Sequence, residues 1–212
     1  DLKSYLAEKF KSMGLKQKLA DFEQAYIKGE INESTISSRF KDIARSIIYG
    51  GYIDVYGEFK IYAKTIEFYF HEEDGSIKDP IVYHRNGKYG DLLPVPPYFP
   101  MMSLHAHMSG FDITFESEVG KYRASALIRK YSVYKNDDTL IVDNAPQSTY
   151  LYNYLNGFPL DSDRRILWID VNNNSTMKLS DGSKRKNVYS GEKWKREKQL
   201  YDYEWSFSAI EP

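Results

Sequence analysis

Apolar residues recur at the three-and-four spacing of a helix face through the first 48 residues, then give way to short β-type runs. Leu2, Tyr5, Leu6, Phe10 and Met13 form one stripe, stopped by Gly14. Leu15, Leu19, Phe22, Tyr26 and Ile27 form a second, ended by Gly29. The third carries Ile36, Phe40, Ile43, Ala44 and Ile47, with Asn32 or Ser34 placed to cap it and Gly50-Gly51 to end it. These stripes read as core packing, the alternative being a membrane-surface or partner-docking face. After Gly51, the runs Tyr52–Tyr56, Phe59–Phe70, Phe111–Phe115, Tyr122–Tyr134 and Leu167–Val171 are rich in tyrosine, isoleucine, valine and phenylalanine, and predict strands. Turn residues separate them at Asp74-Gly75, Asn86-Gly87, Gly120, Asn136–Asp138 and Asp181-Gly182. Four prolines between Asp91 and Pro100 exclude a helix or a central strand and predict a rigid loop. Helices first and strands later predict an α+β fold: a curved, mostly antiparallel sheet or partial barrel with N-terminal helices packed alongside. The helical segment is expected over 1–50 and the α+β domain over 51–212, as one compact unit.

Composition narrows the chemistry. A chain of 212 residues suits one domain with a sizeable core. The absence of cysteine excludes disulfides, thiolate zinc sites and a cysteine nucleophile, and four histidines leave little room for metal. No apolar run approaches the roughly 18 residues of a membrane span. The chain opens at Asp1 on an amphipathic segment rather than a signal peptide, and lacks an initiator Met, which points to trimming. A cytoplasmic, monomeric, membrane-free protein is the expectation. Its net charge of −1 argues against wholesale coating of nucleic acid, but leaves room for a local basic face.

Four stretches could carry chemistry. In Glu67–Asp74, the residues Glu67, Tyr69 and His71 alternate along a strand and share a face, with Phe68 and Phe70 on the other. That face is expected to meet solvent or a cleft, a plain half-exposed strand being the alternative. In Ser103–Phe115, His105 and His107 could ligate metal with Asp112, although no further ligand stands at a diagnostic spacing. Arg129 interrupts the apolar run Ala126-Leu127-Ile128 and requires an anionic partner, with Asp112 or Glu67 as the expected one. Finally, Lys184–Lys198 holds seven bases against two acids, with Tyr189 and Trp194 interleaved. Such a run suits phosphate contacts or simply a solvated face.

The order of these segments resembles the methylpurine-DNA glycosylase family of base-excision repair, the alkyladenine or 3-methyladenine DNA glycosylases. Thr65-Ile66-Glu67-Phe68-Tyr69 is similar to the family's catalytic strand, and Asp79 and His84 to the acidic turn and histidine that follow it. Gly110–Phe115 with Ser125–Arg129 resembles its paired core strands. Lys186–Glu192, Trp194 and Leu200–Trp205 resemble its C-terminal signature. Departures are a longer spacing between Glu67 and His84, His105–Gly110 in place of a tyrosine-glycine segment, and Lys184–Lys186 where the signature has arginine.

The resemblance implies a monofunctional hydrolase acting on alkylated or modified purines in DNA after base flipping, with no metal or organic cofactor. Glu67 would activate water, and Tyr69 with His84 would wall the flipped base. His105, His107 and Met108 would supply a wedge into the duplex. Arg129, Lys184, Arg185, Lys186, Lys193, Lys195 and Arg196 would hold DNA phosphates. A non-catalytic nucleic-acid or nucleotide-binding protein of the same fold is the alternative. A third possibility is a small-molecule pocket or a toxin/immunity-type interaction protein that uses the tyrosine-rich sheet as a protein-binding surface.

Overall fold

The structure, a computed structural model, describes residues 14–82, 96–155, 165–171, 177–190, 198–199 and 203–210. The Leu2–Met13 stripe, the Asn86-Gly87 turn, His84, Lys193, Lys195 and Arg196 lie outside the described residues. Helix α1 (Leu15–Ile27) buries Leu15, Leu19, Phe22 and Ala25, and α2 (Ile36–Tyr49) buries Ile36, Phe40, Ile43, Ala44, Ile47 and Ile48. Their entries are fixed by carboxylate and amide groups. Asp170 accepts the Leu15 N–H at 3.0 Å, placing an anion at the orphan donors of the first turn of α1. Any Cβ at residue 14 would collide with that carboxylate, so Gly14 suits the entry. Before α2, Asn32 Oδ1 accepts the N–H groups of Ser34 and Thr35 at 2.9 and 3.2 Å. Asn32 thus shapes the turn, while Thr35 is the residue at the N-cap.

The strands are β1 (Gly51–Val55), β2 (Phe59–Glu72), β3 (Ser103–His107), β4 (Gly110–Thr114), β5 (Tyr122–Lys135), β6 (Leu140–Pro146), β7 (Ile166–Asp170), β8 (Tyr189–Ser190), β9 (Lys198–Gln199) and β10 (Ser206–Ser208). A 3₁₀ turn (Ser148–Leu151) and a short helix α3 (Tyr152–Leu155) follow β6. Eight strands form one antiparallel sheet in the order β3-β4-β5-β2-β1-β7, with β10 added on β2 and β6 on β5. The sheet curls into a half-barrel around the helices, the α+β class read from the sequence. Its two long strands, β2 and β5, each pair with different neighbours along their length, which is how eight strands share so tight a curl.

A register shift between Ala63 and Ile66 marks where β2 leaves β1 and takes up β10. A bulge inverts the side-chain parity. Ile61 and Ala63 precede it on the core face, and Ile66, Phe68 and Phe70 follow it there, all buried. Phe40 of α2 stacks on Phe68 with centroids 4.5 Å apart, and Phe22 of α1 meets Phe70 edge-on at 6.0 Å. The core therefore lies between the helices and one sheet face. Glu67, Tyr69 and His71 occupy the other.

Candidate active site

The face expected to meet solvent or a cleft is closed over. Glu67 is 0% exposed, and Tyr69 and His71 are 9% and 8% exposed. Two segments cover them, one around Ile77–Val82 and the other around Arg185–Val188. Val82 and Val188 pack with Tyr69 and with Leu127 of β5 in a small apolar cluster separate from the main core. The His71 imidazole accepts the Asp79 N–H at its Nδ1, 3.1 Å away, and so helps to hold the first segment down.

Inside this cover, three donors surround the Glu67 carboxylate. Arg129 Nη2 donates to Oε2 at 2.7 Å, the Tyr69 hydroxyl donates to the same oxygen at 3.2 Å, and the Lys186 N–H donates to Oε1 at 3.1 Å. Arg129 Nη2 also donates to the Lys186 carbonyl at 3.1 Å. The backbone of Lys186 thus closes a ring around the ion pair, its N–H on the carboxylate and its C=O on the guanidinium. Burial and then the Glu67 charge push the Tyr69 phenol well above the ordinary tyrosine range, which keeps it a donor. Burial works against the Arg129 charge, but Glu67 more than restores it, and the guanidinium sits above its usual range. The expected pairing of Arg129 is therefore with Glu67. Of that pair, Arg129 is the one that reaches outward, its side chain 14% exposed against 1% for Glu67.

Behind Tyr69 stands a second buried ion pair. Arg185 Nη1 donates to Asp79 Oδ2 at 2.6 Å and to the Phe68 carbonyl at 3.2 Å. Both side chains are 0% exposed. The guanidinium lies 4.7 Å from the Tyr69 ring centroid and 5.5 Å from those of Tyr203 and Trp205. Arg185 was expected to present its charge to DNA. Its guanidinium instead points into the protein, where a carboxylate, a carbonyl and aromatic faces replace solvent. Its neighbours Lys184 and Lys186 are exposed. The Tyr69 ring is enclosed by Arg185, Val82, Leu127 and Val188, so its hydroxyl is the group it brings to Glu67.

The histidine stretch forms the β3–β4 hairpin, at the edge of the sheet. Met108 stands at its tip, 76% exposed. The His107 ring accepts the Ser109 N–H at Nδ1 (3.1 Å) and sets Nε2 3.2 Å from Asp112 Oδ2. His105 lies between Phe99, at 4.8 Å, and His107, at 5.7 Å. Among the described residues no group of three or more histidine, aspartate or glutamate side chains is gathered as a metal would require. No described helix is long and apolar enough to cross a membrane.

Beyond these residues, Arg123 holds the proline segment. It donates to the carbonyls of Pro96 and Pro97 at 2.9 and 3.1 Å and to Glu116 at 2.9 Å, with the Tyr98 ring over its guanidinium at 3.7 Å. Sequence reasoning missed this hub, and missed that Asp79 is the partner of Arg185. No family profile matches the chain, and no curated protein or solved structure matches it.

Proposed function

We propose that the protein is a DNA glycosylase-like hydrolase that cleaves the N-glycosidic bond of alkylated or otherwise modified purines. The observation that carries this reading is the Glu67 cluster, a carboxylate wholly enclosed by one cationic and two neutral donors on the sheet face away from the core. Apolar side chains of similar volume would pack there at lower cost, because a buried ion pair loses more hydration than it regains in attraction. A cluster of this kind is suited to chemistry. Cleavage of a glycosidic bond builds positive charge on the sugar, which a fixed carboxylate stabilises. Water adds to C1′ as the C1′–N bond breaks, the bonding pair leaves with the base, and Glu67 takes the water proton.

Arg129 and Tyr69 hold Glu67 in one orientation, and because its carboxylate is fully buried, the cover has to shift for water and sugar to reach it. DNA would approach from the Arg129 side, where Lys184 and Lys186 are exposed and carry the charge that phosphates attract. Extracting the base costs a few kcal/mol, least for a damaged or mispaired one. The test is release of free base from a methylated duplex by the wild type and by Glu67→Gln. Release by the wild type alone is expected, with both proteins binding the duplex. No release by the wild type from any modified duplex ends the enzymatic reading.

The complete enclosure of Glu67 favours one second reading, a nucleic-acid-binding protein of the same fold without turnover. It predicts duplex binding that weakens steeply with salt and is unchanged in Glu67→Gln.

A further inference from the structure

We infer that the buried Asp79–Arg185 pair is a positioning device that seats the Lys186 backbone on Glu67 and Arg129. The inference rests on the reading of Glu67 as the reacting carboxylate. Consecutive residues do the two jobs: the Arg185 side chain turns inward to Asp79, and the N–H and C=O of Lys186 turn to Glu67 and Arg129. Asn187 follows in the left-handed region at φ 58°, which asparagine adopts more readily than most residues, and turns the chain there. Val188 then anchors the segment from the other side, packed against Tyr69 and Leu127.

The Asp79 carboxylate is organised to receive Arg185. Besides the two terminal guanidinium nitrogens, at 2.6 and 3.4 Å, it accepts from the Phe70 N–H at 3.2 Å and the Ile81 N–H at 3.2 Å. Asp79 therefore ties β2, its own covering segment and the Lys186 segment to one point. The guanidinium fork fixes direction as well as distance, which a single point charge would not. Aromatic faces of Tyr69, Tyr203 and Trp205 complete its enclosure. Tyr69 is thus touched by the pair on its ring and by Glu67 at its hydroxyl, a second route from the pair to the carboxylate.

Stability alone is a poor reason for such a pair, since neutral side chains of the same shape commonly replace buried ion pairs without loss. The double variant Asp79→Asn/Arg185→Met removes both charges together and keeps an acceptor for one of the Phe70 and Ile81 N–H groups, which bond different Asp79 oxygens. Its thermal midpoint is expected near that of the wild type. Amide hydrogen exchange is expected to speed up about tenfold or more at Lys186, with the Phe68 amide, bonded to the Trp205 carbonyl, unchanged. In the base-release assay kcat falls on the order of 100-fold with KM unchanged, as for a displaced catalytic group. Wild-type protection at Lys186 in the folded double variant overturns the proposal. So does failure of the double variant to fold, which would assign the pair to stability. If the wild type releases no base, the exchange measurement still decides the positioning role, and only the functional reading is lost.

Discussion

Removing the Arg129 guanidinium would leave the Glu67 carboxylate in the interior with two neutral donors, the Tyr69 hydroxyl and the Lys186 N–H. Breaking a buried pair from one side typically costs about 3–5 kcal/mol. Arg129→Met is expected to lose that much in urea unfolding, and adding Glu67→Gln is expected to recover most of it. Losses that simply add would mean the two side chains are not coupled. The need for this partner was legible in the sequence, because an arginine inside an apolar run requires an anion. The inward turn of Arg185 was not. A basic run reads the same whether or not one member faces inward, and the partner that draws it in lies 106 residues away. The burial of Glu67 was also hidden, since the segment that bonds its carboxylate, around Lys186, comes from a distant part of the chain.

At the level of elements, α1 and α2 followed from periodicity and the long strands from their β-type runs, because each buries a regular face in one core. β3 and β6 did not. β6 is an edge strand exposed at most positions, and it shows no alternation for a pattern to report. β3 is half-exposed and carries two histidines, which drew attention to chemistry rather than pairing. The bulge in β2 was invisible for a different reason: it exists only because β2 changes partners. The proline segment was expected to be a rigid loop; in its described part, 96–100, the Pro96 and Pro97 carbonyls accept from Arg123, which also pairs with the buried Glu116. Arg123→Met takes the cation from the buried Glu116, whose carboxylate still accepts the Phe99 N–H at 2.8 Å, and a loss of about 3–5 kcal/mol is expected. Limited proteolysis is expected to cut within 96–100 in this variant and to spare the wild type. Equal resistance of the two would show that packing alone retains the segment.

Across the whole molecule, the tyrosine-rich composition has a consequence for pH. Burial is the leading cause that raises Tyr26, Tyr69, Tyr122 and Tyr131 above the ordinary value of 10.0, Tyr131 to about 12. The folded state keeps protons that the unfolded chain gives up near pH 10, so in that range the unfolded state binds fewer protons. The stability these residues contribute is complete below about pH 10 and is lost as pH rises beyond it, through about 12 for Tyr131. Thermal midpoints are expected to be level between about pH 8 and 10 and to fall above, with part of the tyrosinate absorbance appearing only on unfolding. Smooth titration of all 19 tyrosines near pH 10 with no loss of thermal stability would contradict the burial described here.

The same scale joins the fold to the proposed function. A helix-lined core on one sheet face frees the other for charge, and two covering segments bring Asp79 to Arg185 and Lys186 to Glu67. The most direct measurement is single-turnover release of base from a duplex carrying one alkylated purine. The wild type is expected to release the base in a single exponential phase, and Glu67→Gln to bind the same duplex and release none. Equal release by the two proteins would remove Glu67 from the chemistry.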